Sequence, residues 1–199
     1  MTTQYKSYKF FRALMAVILS PFYPVRSFGR GNMPDGAAIV CGNHSHWIDP
    51  LLIIFAIDKK HHLHMMAKKE LFQKPIVGRF LKAVGMFPVD RSSNDISSVR
   101  TVIKYLRSGE KVGIFPEGTR VKEESGGTPR NGAVYFAAKL GVPIVPVYVP
   151  RDKKRFHTVP VVVGSPYTVD SGVLRDAEAL STASADLMAR INALKEQLK

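Results

Sequence analysis

From residue 37 onward, short β-branched runs alternate with segments of helical spacing, and this alternation constrains the fold more than any other feature. Residues 37–41, 62–67, 87–89, 111–115, 142–149 and 159–163 read as strands. Between them, 49–57, 69–72, 76–84 and 133–140 read as helices, as does a segment in which Ile96, Val99, Ile103 and Leu106 keep helical spacing. Asn94 is the expected N-cap of that segment and Gly109 marks its end. Leu187, Ile191, Leu194 and Leu198 define one face of a terminal helix. Such a pattern predicts an α/β fold: a single domain with a largely parallel central sheet flanked by helices. A length of 199 residues suits one such domain, and no repeat, low-complexity tract or linker divides it.

Charge bears on partners rather than on fold. Lys and Arg number 29 against 16 Asp and Glu, a formal net charge of +13, which attracts polyanions: nucleic acid, an anionic membrane surface or a phosphorylated substrate. The single cysteine, Cys41, excludes an internal disulfide and a four-cysteine zinc site, and fits a reducing, cytoplasmic setting. At the amino terminus, Lys6, Lys9 and Arg12 precede an apolar run over 13–25 that Ser20, Pro21 and Pro24 interrupt. A bilayer span takes about 20 apolar residues, more than this run offers. No small-x-small cleavage site follows, which speaks against a secretory signal. Tyr8, Phe10, Phe11, Leu14, Met15, Ile18, Leu19, Phe22 and Tyr23 suit a helix lying in the lipid interface, and equally a helix packed on the domain. The expectation is a membrane-associating helical segment over 1–30 and the folded domain over 31–199.

Three constellations carry chemistry. His44 and Asp49 lie five positions apart across the turn after the first strand. A carboxylate on one imidazole nitrogen fixes the tautomer and leaves the other to accept a proton, which makes a general base. The bland alternative is that Asp49 caps a helix with Pro50 in its first turn. The second constellation is Phe115-Pro116-Glu117-Gly118-Thr119-Arg120, a strand running into a turn whose arginine presents a planar fork to phosphate oxygens. Gly85 to Arg91 is a third strand exit ending in an arginine. The long polar loop 117–132 that follows is a further functional suspect. His44, Lys68, Arg91, Arg120 and Arg151 each follow a strand, and a parallel sheet would gather them on one rim. Such a rim suits a base acting on a phosphate-bearing molecule.

A metal reading rests on His44 and His46 with His61, His62 and His64. The spacing departs from the metallo-β-lactamase pattern, and Lys59 and Lys60 stand beside His61, so no metal site is expected. A non-catalytic basic module for nucleic acid or anionic lipid is a further alternative, although the basic residues are scattered and form no nucleic-acid motif.

At these residues the chain resembles the glycerolphosphate acyltransferase family, and within it the bacterial 1-acylglycerol-3-phosphate acyltransferases. Asn43, His44 and Asp49 match the first block, Gly85 and Arg91 the second, Phe115 to Arg120 the third, and Val142 to Pro146 the proline-bearing fourth, in order over residues 35–150. His46 and Val121 stand where serine is common in the family. The resemblance implies that His44 deprotonates the free hydroxyl of lysophosphatidic acid, oriented by Asp49. The acyl group would come from acyl carrier protein or coenzyme A. Arg91, Glu117, Gly118, Thr119 and Arg120 would bind the acceptor; Lys68 joins them by charge and placement. No cofactor is implied, the partners are the acceptor, the donor and an anionic membrane surface, and the setting is the cytoplasmic side of the cell membrane.

Overall fold

A computed structural model describes residues 3–90, 95–123 and 127–198, with side chains from residue 6. Its centre is a seven-stranded sheet of β1 (Val25–Phe28), β2 (Ala38–Gly42), β3 (Leu63–Lys68), β4 (Phe87–Val89), β5 (Lys111–Ile114), β6 (Ile144–Tyr148) and β7 (Val159–Val163), in the order β1-β7-β6-β2-β5-β3-β4. The run β6-β2-β5-β3-β4 is parallel throughout. Between β6 and β7 the direction reverses, and β1 pairs parallel with β7. The sheet is therefore largely parallel, with one antiparallel seam.

Both faces are covered, which is why these strands read as nearly continuous apolar runs. In β2, Ala38 and Val40 face one core while Ile39 and Cys41 face the other, the period of two that a pleated strand imposes. The first core takes α1 (Thr3–Leu19), α2 (Asp49–Ala56) and α4 (Pro75–Ala83); the second takes α5 (Ile96–Arg107), α6 (Gly132–Leu140) and α7 (Ala177–Ala193). The expected terminal face is seen: Leu187, Ile191 and Leu194 are buried in the second core. A one-turn helix, α3 (Lys69–Phe72), follows β3.

Three local features depart from what the sequence offers. Residues 25–28 form an edge strand that the sequence does not announce, because Val-Arg-Ser-Phe offers no alternation. The cap of α5 is Asp95 rather than Asn94, which lies outside the described residues. Asp95 accepts from Ser97 N at 3.0 Å and Ser98 N at 3.1 Å. Hydrogen bonds from Asp90 N–H, the Ser97 hydroxyl and Ser98 N–H hold its carboxyl well below the usual range. Finally, Asp49 does not cap α2: Ile48 occupies that position and Asp49 is the first helical residue.

α1 has two characters. Tyr8 is buried, and Phe11, Met15 and Leu19 pack on the first core. Arg12 is buried too, and donates to Ile54 O at 2.8 Å and Ile57 O at 2.7 Å, satisfying carbonyls at the end of α2 that have no helical partner. On the other side Phe10, Leu14, Val17 and Ile18 are exposed.

Gly85 shows how tightly the α4–β4 turn is fitted. Its φ is +78°, and an added Cβ would lie 2.8 Å from His62 Nε2 and 3.2 Å from the Tyr8 ring. Gly85→Ala is expected to destabilise the fold by about 1–2 kcal/mol from the left-handed backbone alone, with displacement of His62 adding to it. Urea unfolding checks this; an unchanged midpoint would show that the turn has slack.

Candidate active site

Because β2, β3, β5 and β6 run parallel, the segments leaving them meet at one edge of the sheet, where open α/β folds bind their ligands. Beyond β2, the Asn43 side chain closes a reciprocal pair with the chain beyond β6, donating to Val149 O at 2.7 Å and accepting from Val149 N at 2.8 Å. That clamp fixes where the next residue, His44, leaves the sheet.

His44 Nδ1 lies 3.0 Å from Asp49 Oδ2. The same oxygen accepts from Ser45 N and His46 N, each at 2.7 Å. Asp49 therefore organises the turn before its helix and is fully buried. Burial alone would raise its carboxyl, but the hydrogen bond with His44 and the charge of Lys153 outweigh that and hold it below the ordinary range. An ionised Asp49 accepts, so Nδ1 carries the hydrogen and Nε2 is the basic nitrogen. The Phe115 ring stacks on the imidazole, centroids 4.1 Å apart at 16°, restraining its rotation.

A second layer holds this pair. Lys153 Nζ sits 2.9 Å from Asp49 Oδ1 and donates to Ser45 Oγ at 2.8 Å, with its side chain 1% exposed. Burial lowers the Lys153 pKa, and the Asp49 charge works against that drop. Glu117 is also buried: Oε2 accepts from His44 N at 2.5 Å and Oε1 accepts from Arg151 Nη2 at 2.6 Å. Arg151 continues to Val121 O at 2.5 Å, and Val121 N donates back to His44 O at 2.8 Å. Both faces of the His44 peptide are thus tied to the 117–121 segment.

Of the acceptor-binding residues expected from sequence, Thr119 and Arg120 are exposed at this edge, beside the dyad segment. Gly118 has φ +68° and donates to Phe115 O at 3.0 Å, closing the expected turn. Lys68 is exposed and paired with Glu70 at 3.1 Å. Glu117 has both oxygens engaged by protein groups. Arg91 lies outside the described residues. Beside Phe115 and Gly118 is a cleft of about 160 Å³, floored by Met66, Ile114 and Phe136 and edged by Arg130. Sequence reasoning missed Lys153. It stands in Arg151-Asp152-Lys153-Lys154-Arg155, a charge run that ordinarily reads as a solvated surface.

A histidine with a buried orienting carboxylate, next to an exposed arginine at the carboxyl edge of an α/β sheet, suits a group-transfer site. The family model described as Acyltransferase matches residues 24–150, and the chain belongs to that family. It is 36% identical to the 1-acyl-sn-glycerol-3-phosphate acyltransferase of Bacillus subtilis over 96% of this chain and 98% of that one. It is 31% identical to the chloroplastic 1-acyl-sn-glycerol-3-phosphate acyltransferase LPAT1 of Arabidopsis thaliana, over 71% of this chain and 40% of that one. Its fold resembles the crystal structure of the 1-acyl-sn-glycerophosphate acyltransferase PlsC from Thermotoga maritima, with a TM-score of 0.69 and 24% identity over 97% of this chain and 79% of that one.

Proposed function

We propose that this acyltransferase moves a fatty acyl group from a thioester to the free hydroxyl of 1-acylglycerol-3-phosphate, giving phosphatidic acid. The observation that carries the reading is the buried Asp49 beneath His44, which leaves Nε2 as a base at the sheet edge. Nε2 takes the hydroxyl proton as the acceptor oxygen bonds to the thioester carbonyl carbon. The tetrahedral intermediate then collapses, the carbon–sulfur bond breaks, and the thiol leaves with the proton returned from Nε2. Acceptor, thioester and His44 balance the reaction. The names of the Bacillus and Arabidopsis relatives support the acceptor; the donor is acyl-coenzyme A or acyl-acyl carrier protein. Arg120, Lys68 and Arg91 bind the acceptor phosphate, and Gly118 and Thr119 shape the turn that presents Arg120. Glu117 acts through the His44 backbone, as a positioning residue.

Thiol release from either donor, with and without lysophosphatidic acid, tests this. Acceptor-dependent release is expected; release without acceptor would indicate a thioesterase, and none with any lysolipid would end the reading. Arg120→Ala is expected to raise KM for lysophosphatidic acid about 10–100-fold with a smaller change in kcat, as for loss of one charge-assisted hydrogen bond. An unchanged KM would remove Arg120 from the phosphate site.

The same proposal places the protein on the cytoplasmic face of the membrane through the exposed face of α1. Among the described residues no helix is long and apolar enough to cross a bilayer, yet Phe10 is 63% and Val17 72% exposed. Burying each apolar side chain in lipid is worth about 1.5–3 kcal/mol. Phe10→Ser with Val17→Ser is therefore expected to weaken sedimentation with anionic vesicles at least tenfold. Undiminished binding would move the contact elsewhere.

A further inference from the structure

The opposite edge of the sheet carries a second group of ligating side chains. β3 and β5 pair in parallel with Leu63 opposite Lys111 and His64 opposite Val112. His62 and Glu110 each immediately precede this pairing, so the register sets them side by side, and His64 follows two positions later on the His62 face. Glu110 Oε2 lies 4.0 Å from His62 Nδ1 and 4.0 Å from His64 Nε2. All three ligand atoms fall within 4.8 Å of one another.

The tautomer of His64 gives this cluster direction. Its Nδ1 lies 3.1 Å from Gly85 O, and a carbonyl can only accept, so Nδ1 donates and Nε2 presents its lone pair to Glu110. A carboxylate facing a lone pair is repulsive until a cation or a proton lies between them. A histidine held by a backbone carbonyl on one nitrogen and open on the other is also the arrangement that orients metal-bound imidazoles. Tyr105 stacks on His64 with centroids 3.6 Å apart, and Tyr8 packs on His62 at 4.0 Å, so both rings are restrained. Of the two lysines that argue against a cation in the sequence, Lys60 is directed elsewhere, pairing with Asp35 at 3.0 Å; Lys111, next to Glu110, donates to Gly36 O at 2.7 Å.

We propose that His62, His64 and Glu110 bind one divalent transition-metal ion of the zinc type. Bonds of about 2.0–2.1 Å place tetrahedral ligand atoms about 3.4 Å apart. Glu110, the one partly exposed member, closes by about half an ångström toward each histidine to meet that spacing, and the two rings, with ligand atoms within 4.8 Å, turn toward each other as well. The fourth position is left to water. Such an ion would tie the β3 and β5 entries to each other and, through Tyr8, to α1, remote from the catalytic edge.

The test is calorimetric titration of the chelator-stripped, tag-free full chain with ZnCl2, with Co2+ absorption as a report on geometry. One ion per chain is expected, with tetrahedral d–d bands and a raised Tm. Glu110→Gln, a change at a partly exposed side chain, should weaken binding at least tenfold and abolish the bands. His64→Gln should do the same; if that variant fails to fold, Glu110→Gln decides. No stoichiometric binding by the wild type would overturn the site. Binding or bands unaltered in Glu110→Gln would also overturn it, by placing the ion elsewhere.

Discussion

His44→Ala is expected to lower kcat about 10²–10⁴-fold with little change in KM for the acceptor. In the proposed reaction the imidazole takes the hydroxyl proton, whereas the exposed cations would hold the phosphate. Folding should survive, because Asp49 keeps Ser45 N, His46 N and Lys153 without the ring. Added imidazole should restore part of the rate if the loss is chemical. Acceptor-dependent thiol release measures both numbers. A variant keeping more than about a tenth of wild-type kcat would remove His44 from the base role.

Lys153→Met should have the largest effect on stability, about 3–5 kcal/mol, because it strands a buried carboxylate. Asp49 is 0% and Lys153 1% exposed, so the pair is shielded from solvent. The substitution should also shift acid unfolding. The folded Asp49 pKa lies below its unfolded value, so its contribution is in place above the unfolded pKa and is lost as pH falls through the folded one. Without Lys153 the folded pKa rises, and the acid limb of the stability curve moves to higher pH. Asp49→Asn combined with Lys153→Met should cost less than the two single changes summed. Urea unfolding from pH 3 to 7 checks each statement; additivity in the double variant would mean the pair is uncoupled.

What could be read from the chain divides along physical lines. His44 and Asp49 were legible because their pairing is local, five residues apart across one turn, and the Phe115–Arg120 turn was legible because proline and glycine punctuate it. The rim itself followed from strand order, since parallel strands put their exits together. Exposure was not legible. Glu117 and Arg120 look alike in sequence as charged residues past a strand, yet one is buried against the His44 peptide and the other is in solvent. Lys153 meets Ser45 across a separation of 108 residues, and nothing in a run of charges marks the one member that turns inward. β1 is not legible because an edge strand of four residues is fixed by its partner, β7, rather than by its own pattern. The cap of α5 went to the neighbour of the expected residue because Asn94 and Asp95 are both competent caps, and only the placement of Asp90 N–H and Ser97 chooses between them.

The reversal between β6 and β7 has a consequence for how this chain can vary. A strand continuing in the β6 direction would have needed a crossover to the far edge of the sheet, drawing the intervening residues with it. Because β7 runs back instead, residues 149–158 return directly over the carboxyl edge and carry Arg151 and Lys153 with them. The return is pinned further along by Phe156 N to Phe22 O at 2.7 Å and Val159 N to Pro24 O at 2.7 Å. Insertions, deletions and relocated termini are thus least tolerable in this stretch, where a change of length pulls two cations off the dyad. Evolutionary drift in length, and any engineered circular permutation, has its freedom on the side of the molecule away from that clasp.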